Sequence, residues 1–230
     1  MKMFRILIAV LLIGAVLPAR AAVNVLACEP EWGALAQELG GDRVSVYNAT
    51  TALQDPHHIQ AKPSLLARAR NADLVACTGA ELEIGWLPIL LQQSGNAKIQ
   101  PGQPGNFEAA HYVRMLEIPT RLDRADGDVH PGGNPHIQTD PRNIALVADA
   151  LAQRLQQLDS ANAAYYQARH KDFVARWQIA LQRWEKQAAP LKDSDFFPPG
   201  EGWNQAKPAD RRERGESDEA EYQPLHRSSH

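Results

Sequence analysis

The sequence has few cysteines, no excess of basic residues and only one long apolar run. Two cysteines in 230 residues exclude a small disulfide-stapled scaffold. Lys and Arg number 24 against 27 Asp and Glu, a net charge of −3, so the chain has no electrostatic footprint for nucleic acid as a partner. It also lacks a Gly-x-Ser-x-Gly elbow, a phosphate-binding glycine loop and a His-Glu-x-x-His helix. What remains is a globular chain of one large or two small domains.

The one long apolar run lies at the N-terminus. Lys2 and Arg5 precede the stretch Ile6 to Leu17, and a small-x-small site ends at Ala21. This pattern predicts a signal peptide over residues 1–21 and a periplasmic mature chain. The alternative, a membrane anchor, needs about 20 apolar residues, which this run does not have.

The two cysteines end two strand-like runs, VNVLAC at Cys28 and DLVAC at Cys77. If those strands are neighbours in a parallel sheet, the sulfurs lie side by side, and an exported chain permits a disulfide. Two separately buried thiols are the alternative. A third interpretation is that Cys28 is a lipid-modified N-terminus, because Leu26-Ala27-Cys28 loosely resembles a lipoprotein cleavage box.

Short β-rich runs alternate with helical patterns over residues 22–139. Such alternation predicts an α/β fold, a parallel sheet with flanking helices. The predicted strands are 23–28, 44–48 and 73–77, with 98–100 as a further candidate. The predicted helices are 32–39, 63–71 and 81–91.

From Asp140 the pattern changes to one of helix alone. Asp140 and Pro141 form a helix start, and apolar residues then recur at helical spacing. Residues 140–189 are therefore predicted as one long or two stacked helices, a connecting spine rather than a buried core helix, with a partner-binding helix as the alternative. Residues 190–230 are rich in proline and charge, a composition typical of a disordered tail.

Four of the eight histidines lie in two loops marked by proline. Asp55-Pro56-His57-His58 follows the second strand, and binding crevices of parallel sheets lie at the carboxyl ends of strands. Asn134-Pro135-His136 precedes the helix start, with His130 just before it. Imidazole is the commonest protein ligand for zinc and suits other transition metals. We therefore interpret His57 and His136 as metal ligands, with His58 and His130 as lesser candidates. Of the others, His111 is expected in a strand and His170 on a solvent-facing helix surface.

Two blocks carry a resemblance to a known family. Residues 55–87, DPHHIQAKPSLLARARNADLVACTGAELEIGWL, and residues 133–151, GNPHIQTDPRNIALVADAL, resemble the periplasmic zinc- and manganese-binding proteins of metal ABC importers. The resemblance implies two α/β lobes joined by a long helix, with Zn²⁺ or Mn²⁺ held in the cleft by His57 and His136 from the first lobe. It also implies a membrane permease as partner and binding without catalysis. The second lobe, which supplies the remaining ligands in that family, has no counterpart after residue 192.

Two other functions stay open on the sequence. A metal-dependent hydrolase would use the same histidines and an open water position, although neither motif has an evident general base. A non-functional remnant is the other alternative, because two imidazoles leave a tetrahedral ion half-bound.

Overall fold

The computed structural model describes residues 22–121 and 130–189 of the chain. The expected signal peptide and the expected disordered tail both lie outside these residues. No helix in the described ranges is both long enough and apolar enough to cross a bilayer. The described residues up to Gln178 form one compact unit, and the last turns of the final helix, from Ile179, belong to a second.

A four-stranded parallel sheet organises the first unit, in the order β2-β1-β3-β4. Its elements run β1 (Val23–Ala27), α1 (Pro30–Gly40), β2 (Val44–Asn48), α2 (Pro63–Asn71), β3 (Leu74–Cys77), α3 (Leu87–Ser94), β4 (Asn106–Glu108), α4 (Pro141–Leu158) and α5 (Ala163–Ala188). This confirms the predicted fold class.

Both faces of the sheet are covered. Successive side chains of a strand point to opposite faces. Val25 therefore packs in the cluster formed with α1, α4 and α5, while its neighbour Leu26 packs in the cluster formed with α2 and α3. A parallel sheet buried on both faces needs apolar residues at consecutive positions, as in residues 25–27 of β1 and in all of β3.

The helical stretch after Asp140 is two helices rather than one spine. Asp159 breaks it, because its carboxylate accepts hydrogen bonds from Asn162 Nδ2 at 2.6 Å and from the Tyr166 hydroxyl at 2.9 Å. α5 then returns along α4, and Trp177 Nε1 donates to the carbonyl of Pro141 at 2.8 Å. The expectation that this stretch is not a core helix is wrong for α4, whose inner face, including Leu151, is fully buried in the core.

Two other local expectations are wrong. Residues 98–100 are not a strand, because Asn96 caps a 3₁₀ turn by accepting from the Lys98 N–H at 3.1 Å. The edge strand is β4 instead. The helix expected from Glu81 begins only at Leu87, since Ala80 and Glu81 have φ values of 51° and 69°, outside the helical region.

Gly105, just before β4, lies close to the backbone of two other segments. An added Cβ would lie 2.4 Å from the carbonyl oxygen of Lys98 and 2.6 Å from that of Asp73. Gly105→Ala is therefore expected to lower the free energy of unfolding by about 1–3 kcal/mol, because backbone must shift to make room. Urea unfolding of the two proteins measures this. Gly132→Ala is the control, since its nearest contact would be 3.8 Å; equal losses in both variants would contradict the steric argument.

Candidate metal centre

The candidate site lies at the carboxyl edge of the sheet. The loop between β2 and α2 leaves this edge and carries His57, and the loop after β3 runs beside it. In a parallel sheet the strands end on the same side, so the segments that follow them meet there. The second histidine motif reaches the same place from the segment that leads into α4.

Asp55 orients the His57 ring. One oxygen of its carboxylate accepts the backbone N–H of His57 at 2.9 Å and lies 2.7 Å from His57 Nδ1. These hydrogen bonds, the backbone one first, hold the pKa of Asp55 below its ordinary value. An ionised carboxylate at Nδ1 favours the tautomer with the proton on Nδ1, which leaves Nε2 as the nitrogen able to bind a metal. The sequence analysis did not assign Asp55, although its position two residues before His57 is that of an Asx turn.

The loop that follows β3 supports the His57 loop from beneath. Trp86 is 2% exposed, and its Nε1 donates to the carbonyl of Pro56 at 2.7 Å. Gly85 packs against the same backbone, since a Cβ there would lie 2.8 Å from the carbonyl oxygen of His57. Asp55 therefore holds the ring, and this loop holds the backbone that carries it.

His136 is presented by a loop with buried anchors. Pro135 and Ile137, on either side of it, are buried, while the His136 side chain is exposed. Its backbone N–H donates to Asn134 Oδ1 at 2.9 Å, and its carbonyl accepts from the Thr139 hydroxyl at 2.7 Å. The backbone is thus fixed and the imidazole is left accessible.

The structure brings three of the predicted histidines together. The ring centre of His57 is 6.1 Å from that of His136 and 5.3 Å from that of His130, and the Nε2 atoms of His57 and His130 are 3.3 Å apart. His58 lies beside His57, with ring centres 6.2 Å apart, but its side chain is exposed. Within the described residues, three metal-ligand atoms converge within 4.8 Å of one another only at another place, Cys28, Cys77 and Glu83.

The other two histidines of the described residues, His111 and His170, lie apart from this cluster, in settings that correct the sequence expectations. His111 is in a 3₁₀ turn and not in a strand, with 67% of its side chain exposed and Nε2 at 3.4 Å from Glu108. His170 is only 21% exposed and not solvent-facing, and its Nε2 lies 3.8 Å from Asp149.

A second polar cluster is buried under the same edge of the sheet. Cys28 directly follows β1, and Cys77 ends the neighbouring strand β3. The structure joins them in a disulfide with Cα atoms 4.8 Å apart. This is the disulfide that the sequence analysis gave as its first interpretation, and Cys28 is fully buried in it. Glu29 and Glu83, 3% and 2% exposed, complete the cluster.

The two carboxyl groups meet at Thr78. Glu83 accepts the backbone N–H groups of Thr78 at 2.8 Å and Gly79 at 3.1 Å, and Glu29 accepts the Thr78 hydroxyl at 3.1 Å. Burial, then repulsion from Glu83, raises the pKa of Glu29 to about 10, and burial also raises the pKa of Glu83. Glu29 therefore carries a proton at neutral pH and shares it with Glu83. The sequence analysis missed this pair, since glutamates at the expected start of a helix need no partner beyond the helix dipole.

The fold and the site define a class: an α/β lobe that presents imidazoles at the carboxyl edge of a doubly covered parallel sheet. The chain belongs to the family described as zinc-uptake complex component A, periplasmic, whose family model matches residues 25–197. That family consists of transport components, which agrees with the expectation of binding without catalysis.

Curated relatives include the metal ABC transporter substrate-binding lipoprotein ScbA of Streptococcus cristatus, 24% identical over 67% of this chain and 47% of its own. The manganese ABC transporter substrate-binding lipoprotein PsaA of Streptococcus anginosus is 23% identical over 67% of this chain and 46% of its own. The chain thus spans about half the length of the curated relatives it matches.

Solved structures share the fold. A zinc-bound deletion mutant of ZnuA has 26% identity and a TM-score of 0.61, over 74% of this chain and 59% of its own. A manganese-bound periplasmic metal-binding protein from Candidatus Liberibacter asiaticus has 20% identity and a TM-score of 0.55, over 74% and 56%. Members of this group therefore bind zinc or manganese, the two ions that the sequence analysis proposed.

Proposed function

We propose that this chain captures a divalent transition metal, Zn²⁺ or Mn²⁺, outside the cytoplasm through His57 and His136 and delivers it to the permease of an ABC importer. The single observation that carries the proposal is the meeting of these two imidazoles at the carboxyl edge of the sheet, from loops 79 residues apart in the chain. The family membership supports the transport role.

The spacing of the rings fits a shared ion. With Zn–N bonds of about 2.0–2.1 Å, two imidazoles on one tetrahedral ion place their ring centres about 5 Å apart. His57 and His136 stand at 6.1 Å and His57 and His130 at 5.3 Å, so a side-chain movement of about 1 Å brings His136 into range. The His136 side chain is exposed and can make this movement, whereas Asp55 holds the His57 ring.

The chemistry of the ligands also sets the conditions of binding and release. Neutral imidazole binds the metal, and protons compete for the same nitrogen, so affinity is expected to fall on acidification. Two protein ligands leave positions on the ion for water or for groups of another molecule. Such an open ion can be passed on, as delivery to a permease requires.

The test is isothermal titration of the full chain with ZnCl₂ and with MnCl₂, beside the double variant His57→Ala/His136→Ala. Binding of one ion by the wild type with at least a 100-fold loss of affinity in the double variant is the expected result, because both ring nitrogens are gone. His111→Ala serves as the matched control, since it removes an exposed imidazole that lies beside Glu108 instead of beside His57. This control should bind as the wild type does.

Two results would overturn the proposal. A double variant that binds as tightly as the wild type would place the metal elsewhere. A folded wild type that binds neither ion would make the chain the non-functional remnant that the sequence left open. Zinc-dependent hydrolysis of ester or phosphate substrates, lost in His57→Ala, would instead favour the hydrolase.

A further inference from the structure

We propose that the chain holds a second, thiolate metal site, formed by Cys28, Cys77 and Glu83 when the disulfide is reduced, for a thiophilic divalent ion such as Zn²⁺. This site is separate from the histidine pair. The cysteine pair would then have two mutually exclusive states, a disulfide or a metal-bound dithiolate.

The first observation is convergence. The two sulfurs and a carboxylate oxygen of Glu83 lie within 4.8 Å of one another, and within the described ranges no other three ligand groups of His, Cys, Asp or Glu do so. Zinc takes thiolate sulfur at about 2.3 Å and carboxylate oxygen at about 2.0–2.2 Å, which sets tetrahedral edges of about 3.5–3.8 Å. Reduction lets the sulfurs move apart towards this separation, while neighbouring parallel strands hold their Cα atoms 4.8 Å apart.

The second observation is a buried carboxyl group beside the ligand. Glu29 is 3% exposed and hydrogen-bonds to Glu83. It can therefore orient the ligand carboxylate, as groups behind metal ligands commonly do.

The third observation concerns charge. Glu83 accepts two backbone N–H groups, from Thr78 and Gly79, which favours its ionised form over that of Glu29. Two thiolates and one carboxylate would carry three negative charges, and a divalent ion would offset two of them. Without an ion, the reduced thiols stay protonated in this buried setting.

Loading of the site takes two steps, reduction of the disulfide and exchange of two thiol protons for Zn²⁺. A phosphine reductant attacks one sulfur, water supplies the oxygen of the phosphine oxide, and two thiols result. Zn²⁺ then displaces the two thiol protons, which leave to solvent, as two Zn–S bonds form. Both sulfurs are buried, at 0% and 1% exposure. Reduction and loading therefore require opening of the chain, and the test works through refolding.

The experiment unfolds the full chain in denaturant with a phosphine reductant and refolds it with CoCl₂, because Co²⁺ bound to thiolate has a charge-transfer absorption that imidazole ligation lacks. The variant His57→Ala/His136→Ala is used so that the histidine pair contributes nothing. We expect one bound Co²⁺ with the thiolate absorption, which ZnCl₂ displaces. The same variant refolded with the disulfide intact should show no such absorption.

Matched variants assign the ligands. Cys28→Ser/Cys77→Ser should lose the absorption, and Glu83→Gln should keep the thiolates but bind Co²⁺ at least about 10-fold more weakly. Glu81→Gln is the control, since Glu81 is exposed in the same turn. If the reduced chain folds without metal and shows no thiolate absorption with Co²⁺, or fails to fold with metal present, the proposal is wrong. Because the histidine pair is absent throughout, this failure leaves the proposed transport function untouched.

Discussion

Asp55→Ala is expected to weaken metal binding at the histidine pair by about 10- to 100-fold, the usual cost of removing a group that orients a metal-bound imidazole. The variant removes the 2.7 Å contact to His57 Nδ1 and the hydrogen bond to the His57 backbone. The ring is then free to rotate, and its tautomer is no longer selected. Titration calorimetry with ZnCl₂ measures the loss.

Asp55→Asn is the matched control for this prediction. Its side-chain oxygen can still accept both hydrogen bonds and lacks only the charge, so we expect most of the affinity to return. Asp149→Asn removes a negative charge from an exposed position on α4 and should have little effect. If Asp55→Ala binds zinc as the wild type does, Asp55 does not position the ligand.

Stability should depend on pH through Glu29. Its pKa is about 10 in the folded chain and 4.5 ordinarily, so the folded chain keeps a proton that the unfolded chain releases. The stabilisation is fully present below pH 4.5 and is lost as the pH rises towards 10. The free energy of unfolding should therefore fall as the pH rises through this window, by at most about 1 kcal/mol per pH unit where one extra proton is held.

Glu29→Gln removes this titration, because the amide can donate to Glu83 as the protonated acid does but cannot lose a proton. Chemical unfolding of both proteins at several values from about pH 6 to about pH 9 tests the difference in slope. Glu81→Gln, an exposed neighbour of the pair, should follow the wild type. Parallel slopes in the wild type and Glu29→Gln would show that the pair holds no extra proton.

Several features could be predicted from local sequence because they depend on short-range physics. Short β-rich runs marked β1 to β3, and Asp140 with Pro141 marked the start of α4, where Asp140 accepts the Arg142 N–H at 2.9 Å. The errors occurred where a distant contact overrode local pattern. Residues 81–86 have the composition of a helix, but the inward turn of Glu83 towards Thr78 keeps them out of one.

The sequence by itself determined the α/β class and the family resemblance, and it singled out His57 and His136 as the proposed ligands. These follow from the spacing of apolar residues and from motifs within single loops, which can be recognised from neighbouring residues alone. Only the tertiary structure decided that Asp55 holds His57, that the helical stretch folds back at Asp159, and that Glu29 and Glu83 share a proton beside a disulfide. The first two depend on side-chain contacts over two and seven residues that helix and strand propensities do not reveal. The last arises between segments far apart in the chain, where burial and distance set the energy.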